Sequence, residues 1–155
     1  MEHRKDSLFS MEHRKDSLFF GGGVKWDQFS FVLNKDIGGR SKGMRAQLSY
    51  AYMKMFENQS MLRLAFNLEL LNQNFTNYYY GVRENEVLTS RSFYLPNKAI
   101  IPGISAFYSY RLMENINWIN ILTLKKWTKE IKNSPTTKGT DFEASLITAF
   151  TWIFY

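Results

Sequence analysis

The 155-residue chain contains no cysteine. That excludes a disulfide framework, a thiolate zinc site and a cysteine nucleophile. Histidine is nearly absent as well. The two present, His3 and His13, are copies of each other in a repeated stretch, so neither supports a metal site or a catalytic set. No window holds the roughly 18 unbroken apolar residues that a membrane-spanning helix needs. The mean hydropathy of −0.35 likewise excludes a bundle of such helices.

Acidic residues are outnumbered. Lys and Arg total 20 against 14 Asp and Glu, for a formal charge of +6. Such an excess suits an anionic partner. Nucleic acid is set aside, because the aromatics fall on an apolar strand face rather than among the lysines. No catalytic constellation is found. Glu69 and Glu143 fall on polar strand faces, where pairing with Arg63 or Arg111 is the simpler role. Gly21–Gly23 precedes a strand and not a helix N-terminus, so it is no phosphate loop, and a tight turn explains it. Asp36–Gly43 lacks the carboxylate pattern of a calcium loop. The chain therefore reads as a non-enzyme with no cofactor and no metal.

Aromatic residues are abundant, at 17% of the chain. They favour strands and membrane interfaces. The middle of the chain alternates with a period of two. In "MLRLAFNLELL", Leu62, Leu64, Phe66, Leu68 and Leu70 oppose Arg63, Ala65, Asn67 and Glu69. A strand places all five apolar residues on one face, whereas a helix scatters them. "GMRAQLSYAYMK", "IIPGISAFYSYRL" and the terminal "DFEASLITAFTWIFY" alternate in the same way. In "VKWDQFSFVLN" the register changes between Trp26 and Phe29, as a bulge near Asp27 or Gln28 would produce. "INWINILTLKKW" is apolar on both sides around Ile119–Leu122, and its Ile, Thr and Trp content favours a strand.

This predicts about six strands, near 24–34, 43–54, 61–72, 100–112, 116–127 and 141–155. Their length suits a tilted strand crossing a bilayer, which takes about 9–11 residues. Strands of soluble sheets most often run about 5–6. The connections alternate short and long, like the periplasmic turns and extracellular loops of outer-membrane barrels. The expected fold is all-β: an antiparallel transmembrane (outer-membrane) β-barrel, incomplete in this chain. A closed barrel leaves no sheet edge for lipid to meet, so its last strand needs no polar tail. Trp152, Phe154 and Tyr155 suit the interfacial girdle and resemble the C-terminal sorting signal of bacterial outer-membrane proteins. Residues 1–20 hold "MEHRKDSLF" twice, at Met1–Phe9 and Met11–Phe19. They read as a duplicated leader, disordered or artefactual, with neither the apolar stretch nor the cleavage site of a signal peptide. Export would need such a signal, so a missing front is expected, and 21–155 is expected to be the C-terminal part of a barrel.

Several stretches resemble one family. "NYYYGV" (Asn77–Val82) is similar to the Tyr-Tyr-Tyr-Gly-Val motif of the MipA/OmpV, or MltA-interacting protein, family. "GGGVKW" resembles that family's Gly-rich lead-in to a strand, "DIGGRSKG" its Asp-x-x-Gly turn, and "NSPTTK" its Asp-Ser-Pro, with Asn133 in place of Asp. The resemblance runs from about Phe19 to Tyr155 and implies a C-terminal portion of the family's chain. It implies an outer-membrane barrel with a scaffolding role, linking a murein transglycosylase and a murein synthase to that membrane. Tyr78, Tyr79, Tyr80 and Gly81 are the motif residues it marks, with loop anchoring expected for the tyrosines and ligand stacking as the alternative.

Lys125, Lys126, Lys129, Lys132 and Lys138 gather near one outer rim, with only Glu130 against them. Contact with the phosphates of lipopolysaccharide is expected there, alongside outer-membrane lipid. Missing N-terminal strands or a second copy would close the barrel. Two other functions fit the pattern. One is a passive pore lined by Arg63, Asn67, Glu69, Ser105, Ser109 and Arg111. The other is a soluble barrel holding an apolar ligand inside.

Overall fold

The computed structural model describes residues 16–137 and 139–152 and carries the alternating segments as strands. They are β1 (Phe19–Trp26), β2 (Phe29–Asp36), β3 (Met44–Met55), β4 (Met61–Leu71), β5 (Ala99–Met113), β6 (Ile116–Lys126) and β7 (Phe142–Trp152). Each strand pairs antiparallel with its neighbours in sequence, in one seven-stranded sheet of order β1 to β7. Helices α1 (Gln73–Tyr80) and α2 (Lys129–Lys132) lie in the two longest connections.

The count is seven and not six because 24–34 is two strands. Asp27 and Gln28 form a two-residue turn, with Trp26 paired opposite Phe29. Asp27 takes a φ of 52°, a left-handed conformation that Asp tolerates better than most residues. A reversal of this size and a bulge shift the apolar register in the same way. Here the reversal keeps Val24, Trp26, Phe29 and Phe31 on one face. The glycines of Gly21–Gly23 are also not a turn; they lie inside β1. A Cβ on Gly21 would stand 2.2 Å from the Leu33 carbonyl oxygen, and one on Gly23 would stand 2.7 Å from that of Phe31. Their bareness permits close approach of the neighbouring strand.

The long connections, 37–43, 72–98 and 127–141, all lie at one end of the sheet, and the short ones, 27–28, 56–60 and 114–115, at the other. β1 and β7 are the two edges, and with five antiparallel strands between them they run in the same direction. They therefore do not close on each other antiparallel, and the barrel wall is open among the described residues.

The two faces differ in chemistry. Apolar side chains stand on the convex face and remain open to their surroundings: Leu64 is 47% exposed, Phe66 52%, Phe150 68% and Trp152 60%. Among the described residues no second layer covers them. A soluble barrel with its oily face inward is the reverse of this arrangement.

Candidate functional site

The other face curves round a groove of about 480 Å³, lined from β2 to β7 by residues including Ser30, Arg45, Ser49, Arg63, Asn67, Glu69, Ser105, Lys125 and Glu143. Strand alternation puts these there, because each sits one residue from an outward apolar neighbour. Register then lines them up across strands: Ser49 is opposite Asn67. The Ser49 hydroxyl donates to Asn67 Oδ1 at 2.8 Å, and Asn67 Nδ2 donates to Ser105 Oγ at 3.1 Å. This chain of bonds ties β3, β4 and β5 together at the groove floor. One step toward the long connections, Glu69 lies between Arg45 at 3.6 Å and Lys125 at 3.5 Å. A half-buried carboxylate flanked by two cations keeps its charge compensated. The row of Phe107, Ile121 and Ile147 makes part of this face apolar, matching the two-sided pattern of β6.

The long connections fold together over one end. Ile131 of α2 is fully buried and clusters with Leu71, Ala99 and Ile101, flanked by Phe75, Tyr80 and Trp127. Helix α1 starts where Asn72 Oδ1 accepts from the Phe75 amide at 3.0 Å. The same oxygen accepts from the Met44 amide at 2.9 Å, which pins the helix to β3. Thr76, fully buried, donates to the Asn97 carbonyl at 2.7 Å. The Tyr94 hydroxyl donates to the Glu130 carbonyl at 3.1 Å, joining the second long connection to the third. In the first, Asp36 Oδ2 accepts from the Ser41 amide at 2.6 Å and its hydroxyl at 2.7 Å.

Tyr80 stands where cap and groove meet, edge-on to Trp127 with ring centroids 5.8 Å apart. Burial pushes its phenol up to about 12, and the Glu69 and Glu143 carboxylates add to the rise. The fold thus favours the neutral phenol. Its contribution is complete below the ordinary tyrosine value of about 10 and is lost as pH rises through about 12. In an alkaline absorbance titration, Tyr80 should ionise after the exposed tyrosines. Tyr80→Phe should remove that late component, and its survival in the variant would assign it elsewhere.

The family model described as MltA-interacting protein MipA matches residues 2–154. The chain belongs to the MipA family. No curated protein and no solved structure matches it.

In this MipA chain two of the family stretches, the tyrosine run and "NSPTTK", meet in the cap. The tyrosine run forms the last turn of α1, and the Ser134 hydroxyl of "NSPTTK" donates to the Tyr80 carbonyl. Tyr79 stacks on Phe75 at 4.6 Å and meets Tyr78 edge-on at 5.0 Å. A Cβ on Gly81 would stand 2.5 Å from the Asn77 carbonyl oxygen, so only glycine closes the helix at this point. Lys125 points into the groove toward Glu69, whereas Lys126 is exposed on the convex side. Lys129 and Lys132 border a separate cleft of about 520 Å³ with Trp127 and Phe142, and Lys132 pairs with Asp141 at 2.5 Å. Trp152 ends β7 on the convex face at the short-turn end. Phe154, Tyr155, Lys138 and the leader through residue 15 lie outside the described residues. Sequence reasoning missed Thr76, Ile131 and Ser134. The only signals were Asn72 as a capping residue and the four-residue spacing of Phe75 and Tyr79, too short a run to outweigh the strands around it.

Proposed function

We propose that this chain is part of an outer-membrane β-barrel with a scaffolding role in the cell envelope, linking murein-remodelling enzymes to that membrane. One observation carries the membrane reading: apolar side chains such as Leu64, Phe66 and Phe150 stand exposed on the convex face, while the groove is polar. Water would penalise that arrangement, and hydrocarbon favours it. The long connections then face outward, with Lys126, Lys129 and Lys132 near lipopolysaccharide phosphates. The short turns face the periplasm. Family membership supports a murein transglycosylase as partner; in this reading it docks at those turns, and a synthase is reached through the same complex.

With the seven strands of the described residues, closure takes further strands rather than a second copy. Two copies sharing one membrane orientation present edges that run the same way, so any seam between them is parallel. An odd number of added strands between β7 and β1 restores antiparallel pairing throughout.

The test is fractionation followed by capture. The chain, exported behind a signal sequence, should sediment with outer membranes and need detergent for release. It should then retain a lytic transglycosylase, and changing the 56–60 turn should reduce that retention. Recovery in the soluble periplasm would remove the membrane assignment. Membrane association without retention would remove the scaffold and leave the passive pore.

A further inference from the structure

Most cations on the groove face are already engaged. Arg45 and Lys125 share Glu69. Arg111 donates to Gln59 and to the Glu114 carbonyl. Arg63 is different. It is half-buried on β4, and its guanidinium has no hydrogen bond or ion pair among the described residues. Its side chain lines the main groove and also a recess of about 320 Å³ at the short-turn end, with Lys25, Asp27, Gln28 and Ser30. Among the described residues Lys25 likewise has no ion-pair partner, and Asp27 is the one carboxylate lining the recess.

A planar guanidinium with five donors and no acceptor is matched by a carboxylate, which takes two parallel hydrogen bonds from it. The Ser30 hydroxyl borders both cavities and can add a donor. Two cations against Asp27 leave one net positive charge, which one monoanion balances. The long-connection end is covered by the cap around Ile131, so an occupant reaches Arg63 from the short-turn end.

We propose that this mouth of the groove binds small organic monocarboxylates, with Arg63 as the anchor and Lys25 and Ser30 as supporting groups. The site requires neither an enzyme partner nor insertion in a bilayer, so its failure is separable from that of the scaffold.

The experiment is calorimetric titration of the full chain in detergent with N-acetylglycine, its neutral amide and inorganic phosphate. N-acetylglycine should bind and the amide should not. Arg63→Gln should weaken binding at least about tenfold, as expected for loss of a charged hydrogen-bonding partner. Arg63→Lys, which keeps charge without the fork, should lose less. Arg40→Gln, on an exposed loop at the opposite end, should bind as the parent does. A measurement on the unaltered chain guards against misfolded variants: N-acetylglycine should protect Arg63 from phenylglyoxal, read by peptide mass. Equal binding by the amide, unchanged binding by Arg63→Gln or absent protection would each overturn the site. Tighter binding of phosphate than of N-acetylglycine would overturn the carboxylate assignment.

Discussion

Phe66→Arg should destabilise the folded chain in lipid by about 2–4 kcal/mol, the cost of a cation on a barrel's lipid face near the bilayer midplane. Phe66 is the middle residue of the eleven in β4, lies opposite Tyr50 and Ile104, and is 52% exposed on the convex face. Nothing in the sheet can take up the charge. Gln47→Arg is the matched control. Gln47 lines the groove and makes a single long hydrogen bond, to Ser49 at 3.4 Å. Its replacement should cost no more than about 1 kcal/mol. Asn67→Arg is a less clean comparison, because Asn67 holds bonds to both neighbouring strands. Urea unfolding in lipid vesicles gives both values. Equal costs would falsify the assignment of inside and outside.

Ile131→Ala should loosen the cap and leave the strands intact. Ile131 is fully buried against Leu71, Ala99 and Ile101, and such a truncation costs about 2–5 kcal/mol when the site does not collapse. The loss falls on the connections, because the strands keep their ladder bonds without it. Hydrogen exchange should speed up across 72–98 and 127–141, and β3 to β6 should keep their protection. Exchange rising evenly over the whole sheet would mean that cap and wall unfold as one unit.

Much of the wall was legible in the sequence. Leu62 to Leu70 alternate without a break, and a two-residue period can serve only one sheet face. The boundaries of β3 and β4 differ from expectation by a residue at most. The front of the chain was less legible. A tight turn and a bulge leave the same trace around Asp27 and Gln28, and only the pairing of Trp26 with Phe29 separates them. The cap was the least legible part. Thr76 and Ser134 are polar and sit in segments that read as loops. Their burial follows from carbonyls of Asn97 and Tyr80, 21 and 54 residues away. Lys125 shows the same limit. Among the lysines of the rim it reads as one more contact for lipopolysaccharide phosphates, yet strand parity turns it inward to Glu69.

The sequence by itself determined that this is an antiparallel all-β wall with unlike faces, because alternation along each strand is a local property. It also marked the family, since the tyrosine motif is contiguous. Only the tertiary structure decided which polar residues share one groove, that the long connections cover one end of it, and that Arg63 has no partner for its donors among the described residues. Those facts depend on the register between strands and on contacts between distant loops, which no local period encodes.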